Sequence, residues 1–188
     1  MDRAEHRGVG AGTPDPALLE RAFREAAANA DVVITSGGVS VGEYDLVAGV
    51  LAECGVETLA WHLNIRPGMP LLIGRKAGTA VFGLPGNPVS AMVTYAQFVR
   101  PAIRRLRGSA AQPLRIRALL EEEIVKQDDK RHYVRGVLGM RGEATTVRST
   151  GSQVSNVLSS LVRANCLIIL PEAGKVFPAG TSVEVELL

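Results

Sequence analysis

DVVITSGGVSVGEYD, residues 31–45, is the stretch that decides the fold. Its β-branched run Val32-Val33-Ile34 reads as a buried strand. The strand runs into Thr35-Ser36-Gly37-Gly38, a hydroxyl-rich turn with two adjacent glycines. A second polar group, Ser40, Gly42, Glu43 and Asp45, precedes an apolar helical pattern that starts at Leu46. A buried strand feeding a glycine-serine loop and then a helix is how α/β proteins build anion sites. Glycine lets backbone N–H groups approach the ligand, and the helix turns its positive end toward it. A plain strand-to-helix connection needs one glycine and no acid. The number of Gly and Ser positions here, closed by a carboxylate, points to a ligand site.

Upstream of this stretch, Asp15-Pro16 is a helix start: a capping carboxylate with proline at the first helical position. Leu18, Leu19, Ala22, Phe23 and Ala26 follow at helical spacing. Downstream, Leu46, Val47, Val50, Leu51 and Cys54 form one stripe that Gly55 terminates. Residues 57–65 alternate, with Leu59, Trp61, Leu63 and Ile65 on one face, which predicts a half-buried strand. Arg66-Pro67-Gly68-Met69-Pro70 is a rigid turn, and Leu71-Leu72-Ile73 a further strand. Residues 80–84 form a second apolar run that ends in Pro85-Gly86-Asn87-Pro88. A long helix follows, with Val89, Met92, Val93, Ala96, Val99, Ile103 and Leu106 at intervals of three or four. A buried strand thus twice delivers a glycine-bearing loop into a helix. In a parallel sheet both loops lie at the carboxyl edge, where ligands bind.

The small residues from Gly108 to Pro113 read as a linker, and the periodicity changes after it. Residues 114–120, 133–140, 144–148, 166–170 and 182–188 are short β-type segments, and 153–163 carries the one helical stripe. Short strands with turns predict a small β-barrel or sandwich. The expected fold class is therefore α/β followed by a small β domain, divided into residues 13–110 and 111–188.

At 188 residues, with 46% hydrophobic and 21% charged residues, the chain can bury one good core or two small ones. A formal charge of +2 argues against a nucleic-acid partner. No apolar run reaches the roughly 18 residues that span a membrane. MDRAEHRGVGAG at the N-terminus has no apolar region to serve as a signal peptide, so a cytoplasmic location is expected. Cys54 and Cys166 sit far apart in apolar settings and read as core residues of a reducing compartment. His6, His62 and His132 show no metal-ligand spacing. Arg100, Arg104, Arg105 and Arg107 read as cations complementing a helix C-terminus.

TSGGVSVGEYD and LPGNPVSA, about 40 residues apart, resemble the corresponding motifs of the molybdopterin molybdenumtransferase family, to which gephyrin E domains are related. The RPGMP turn and the tail TGSQVSNVLSSLVRANCLIILPEAG, then AGTSVEVELL, follow in the family's order. The resemblance covers nearly the whole chain. It implies part of a three-layer molybdopterin-binding α/β domain, then the family's C-terminal β-barrel. The implied reaction joins molybdate to adenylylated molybdopterin, releasing AMP, with Mg2+ assisting. The implied assembly is a homodimer, or association with the family's N-terminal domains, which precede this region. Ser36, Gly37, Gly38, Ser40 and Gly42, with Pro85, Gly86, Asn87, Pro88 and Ser90, are the expected substrate-binding residues. Asp45 is the expected catalytic and metal-binding residue, holding Mg2+ or a pterin amine; its other reading is a helix N-cap. Asn87 has the same two readings, ligand contact or cap. The alternative function is a molybdopterin-binding or scaffold module without turnover.

Overall fold

The computed structural model describes residues 15–39, 46–110, 112–154 and 158–188. The chain packs as two compact units, Met1–His62 with Pro70–Gly86, and Leu63–Met69 with Asn87–Leu188. The first begins with α1 (Pro16–Asn29), whose first turn is capped by the Asp15 carboxylate accepting from the Ala17 amide at 2.9 Å. Then come β1 (Val32–Ser36), α2 (Leu46–Glu53) and β2 (Glu57–Trp61). β3 (Ile65–Arg66) belongs to the second unit, and β4 (Leu72–Lys76) and β5 (Thr79–Leu84) return to the first.

The first sheet has the order β1-β5-β4-β2. β1 and β5 are parallel, as their paired loops require, but β4 runs antiparallel to both its neighbours. The sheet is therefore mixed where a parallel one is expected, because only Ala77 and Gly78 separate β4 from β5, and so tight a turn makes a hairpin. Helices and sheet share a core of Phe23, Val33, Val50, Leu51, Cys54, Val56, Leu72 and Val81. The expected strand over 57–65 is interrupted: His62 takes a left-handed φ of 57°, which separates β2 from β3.

The second unit continues with α3 (Pro88–Thr94), a π-helical turn (Tyr95–Val99) and α4 (Arg100–Leu106), one helix in three parts. Pro101 explains the wide turn: it has no N–H for the carbonyl four residues earlier, and its ring crowds that carbonyl. Then follow β6 (Arg115–Leu120), β7 (Ile124–Val125), β8 (Arg131–Arg141), β9 (Ala144–Ser149), α5 (Ser159–Arg163), β10 (Cys166–Leu170), β11 (Val176–Phe177) and β12 (Ser182–Leu187). The order β10-β12-β6-β9-β8 closes on itself through β8–β10, while β3 pairs with β8 and β7 with β11. Barrel or sandwich thus resolves to a closed five-stranded barrel, with Val134, Val147, Cys166, Ile168, Leu170 and Val185 inside. Burial pushes the Cys166 thiol up to about 11, so it serves as an inert core residue.

Residues 167 and 169 alternate to the outside, where Leu167, Ile169, Tyr133 and Ile65 pack with Val93 and Phe98 of the long helix. Packing thus groups that helix with the barrel, which a partition into 13–110 and 111–188 does not anticipate. A helical stripe announces a buried face without saying what buries it. Among the described residues of the stripe expected over 153–163, Ser159–Arg163 are helical, with Val154 57% and Val162 86% exposed. Residues 155–157 lie outside the described residues.

Three charged side chains of this unit are fully buried, and each is met by polar partners. Glu186 accepts from Gln97 at 2.9 Å, Arg100 at 3.2 Å and Arg115 at 3.3 Å. Arg100 therefore serves a buried carboxylate, not a helix C-terminus. Lys126 donates to the carbonyls of Lys130, Pro171 and Glu172. Arg135 donates to Ser160 Oγ and the Val154 carbonyl, and its burial lowers its pKa. No helix among the described residues is long and apolar enough to cross a membrane.

Candidate functional site

The carboxyl ends of β1 and β5 define the candidate site of the first unit. Register pairs Ser36 with Leu84, so both strands end level, and the Gly37 amide donates to the Leu84 carbonyl at 3.0 Å. Gly37 and Gly38 take φ of 88° and 66°, a left-handed pair that residues with a Cβ rarely adopt. The two loops then meet backbone to backbone: a Cβ on Gly86 would lie 3.3 Å from the Gly37 Cα. A Cβ on Gly38 would strike the Val47 side chain at 2.6 Å, and the Gly38 carbonyl accepts from the Val47 amide at 3.0 Å. The glycine pair is thus pinned to β5 on one side and to the first turn of α2 on the other.

Beyond it, Val39 is 1% exposed, and its carbonyl accepts from the Trp61 indole at 3.0 Å. A Cβ on Gly83 would meet Val39 at 2.6 Å, so this glycine leaves room for the descending loop. Ser36 and Gly86 are exposed at the rim, while Pro85 is buried beneath it. Together these residues form a rigid, nearly side-chain-free ledge at the sheet edge. Such a ledge can bring a flat or anionic group against backbone, with the Ser36 hydroxyl beside it.

Ser40, Gly42 and Asp45, and with them Glu43, lie outside the described residues. The unit division falls between Gly86 and Asn87, so the rest of the second motif is described within the second unit. There Asn87 caps α3, its Oδ1 accepting from the amides of Val89 at 3.1 Å and Ser90 at 3.4 Å. Pro88 occupies the first helical position and is exposed, and Ser90 is 7% exposed with its carbonyl accepting from Thr94 Oγ1. Of Asn87's two readings, capping is the one seen. Among the described residues no three His, Cys, Asp or Glu side chains come together.

Two supporting residues escaped the sequence reading. Trp61 looked like one apolar position of an alternating strand, yet its indole N–H holds the loop. Only the pairing of two segments 22 residues apart shows this. Thr35 looked like turn material, but its Oγ1 is sealed from solvent with no hydrogen-bond partner among the described residues. A hydroxyl within the strand, one residue ahead of the Ser-Gly-Gly turn, is a signal that could have marked it.

The family description "Probable molybdopterin binding domain" matches residues 4–105, and "MoeA C-terminal region (domain IV)" matches 117–188. The chain is 38% identical over 173 residues to a molybdopterin molybdenumtransferase of Haemophilus influenzae, covering 90% of this chain and 43% of that protein. It is 34% identical over 177 residues to one of Nostoc, covering 91% and 41%. Among solved structures it superposes on a molybdopterin biosynthesis moeA protein from Pyrococcus horikoshii with a TM-score of 0.74 at 28% identity, covering 92% of this chain and 41% of that one. A molybdenum cofactor biosynthesis protein from Pyrococcus furiosus gives 0.73 at 25%, covering 93% and 55%. The chain thus spans less than half the length of the curated relatives it matches.

Proposed function

Because the chain belongs to the molybdopterin molybdenumtransferase (MoeA) family, we propose that its glycine ledge binds adenylylated molybdopterin for molybdate insertion, with release of AMP. The observation that carries this reading is the backbone contact of Gly37 with Gly86 at the level ends of β1 and β5. It clears a surface on which a pterin and its phosphate can lie. Ser36, Gly38, Ser40 and Gly42 line the first motif in this reading, and Pro85, Pro88 and Ser90 the second. Asn87 contributes by fixing the start of α3. Asp45 is the residue assigned to catalysis and to Mg2+, which when bound supplies charge neutralisation at the phosphate.

The protein's share of this chemistry is positioning. The rigid ledge orients the pterin, and backbone and hydroxyl donors meet charge on the phosphate that is displaced. The chain spans 43% of its Haemophilus relative. In this reading turnover belongs to an assembly, either a homodimer or a complex with the family's further domains, acting in the cytoplasm. A molybdopterin-binding module without turnover is the second reading.

Both readings require binding by the 188 residues alone, which isothermal titration with molybdopterin measures. Gly86→Val puts a branched side chain where a Cβ already lies 3.3 Å from Gly37. It should weaken binding about tenfold or more while leaving the fold intact. Equal affinity in wild type and variant would overturn the ledge as the binding surface.

A further inference from the structure

The barrel unit carries a cavity of its own, about 280 Å³, lined by Arg117, Arg131, Ile169, Phe177, Ser182 and Glu184 among others. Of its lining, Ile169 belongs to the cluster outside the barrel, while Phe177 packs against the interior one. Cross-strand register places its wall: Ile169 pairs with Tyr133 on one side and Glu184 on the other, and Glu184 pairs with Arg117.

The charges around this cavity do not balance. Glu184 is committed to Arg115 at 2.9 Å, and Glu172 to Arg131 at 3.2 Å. Arg117 makes one long hydrogen bond, from Nη1 to the Ser182 carbonyl at 3.4 Å, and no ion pair among the described residues. Arg131 is held by Glu172 and its Nε is sealed from solvent, so Arg117 is the guanidinium of this wall that is open to a ligand. Beside these donors lie the Phe177 ring and the Ile169 side chain. A guanidinium without an ion pair next to an aromatic wall complements a planar anion on an apolar body. The fork of a guanidinium matches a carboxylate, and its plane stacks on an aromatic ring.

We propose that this cavity is a binding site for a small carboxylate carrying one apolar or aromatic group, with Arg117 as its principal anchor. Its volume falls just below that of drug-sized pockets, which limits the ligand to about a single ring. The site is independent of the glycine ledge: every residue it uses lies in the second unit.

The test uses phenylacetate as the probe, titrated into the whole chain and followed by NMR of the arginine Nε–Hε groups and by calorimetry. A ligand of this size should bind with a dissociation constant on the order of a millimolar. The Arg117 Nε–Hε signal should shift saturably. Phenylacetamide, the neutral isostere, should bind about tenfold more weakly or not at all. Arg117→Gln should lose about tenfold in affinity with its melting temperature unchanged, because Arg117 is exposed and carries no ion pair. Arg117→Lys, which keeps the charge but not the fork, should fall between. The proposal is overturned if no saturable shift occurs, if phenylacetamide binds as tightly, or if Arg117→Gln binds like wild type. It is equally overturned if inorganic phosphate competes with phenylacetate at equal concentration, because the apolar wall would then contribute nothing.

Discussion

Asp45 ends the glycine-serine stretch and has two exclusive duties open to it, and one substitution separates them. Asparagine caps a helix about as well as aspartate does, so a capping role predicts that Asp45→Asn keeps both stability and activity. A divalent-cation site, by contrast, weakens outright when its carboxylate is lost. With the family's further domains supplied in trans, Asp45→Asn should abolish molybdate insertion and the response to Mg2+ while its melting curve stays put. Wild-type rates at unchanged Mg2+ dependence would reduce Asp45 to a cap. Asp128 makes a different prediction, about pH. Burial alone would raise its pKa, but hydrogen bonds from His132 at 2.7 Å, Arg66 at 2.9 Å and the Lys130 amide outweigh that and hold it well below the usual carboxylate range. A depressed carboxylate contributes stability in full above its unfolded value, near 4, and loses it as the pH falls toward the folded one. Between about pH 4.5 and pH 2 wild type should therefore lose more melting temperature than Asp128→Asn does. Parallel acid melts of the two proteins would refute this.

The α3 start is where an element and the proposed site share a residue. Asn87→Ala removes the acceptor of two amides and should cost about 1 kcal/mol in denaturant melts, whatever it does to ligand binding. An unchanged midpoint would mean that the cap contributes nothing. Elements of this kind were legible in the sequence because their signals are local. Asp15-Pro16 and Asn87-Pro88 start helices, Gly55 ends one, and alternation over 115–120 and 182–187 marks two strands that do pair. The glycine pair was legible for the same reason, since two adjacent glycines after a strand have few structural uses, though the strand expected to be buried has only Val33 buried. What was not legible depends on partners distant in sequence. The antiparallel course of β4 follows from a hairpin, the burial of Glu186 from three donors on two elements, and the Trp61 contact from a loop on the other side of α2. Residue 62 broke an otherwise regular alternation through its backbone angle, which hydrophobic pattern does not encode.

Two continuous family segments, 4–105 and 117–188, leave the Gly108–Pro113 stretch between them, and its described residues are exposed or half-buried. Small exposed residues are preferred cutting sites, so limited proteolysis should nick the chain within about ten residues of this linker. The two products should nonetheless elute together on gel filtration, because Val93 and Phe98 before the cut pack with Tyr133, Leu167 and Ile169 after it. Separation of the fragments without denaturant would contradict that packing. The order β1-β5-β4-β2 has one more outcome, for how the protein behaves in a test tube. Among the described residues β1 pairs on one side only, and Ile34 on it is 43% exposed. An open strand edge is a template for any extended chain that reaches it. At high concentration the 188 residues should therefore scatter light and grow turbid. Ile34→Lys should keep the solution clear, since a charge on an edge strand is a common deterrent to strand pairing.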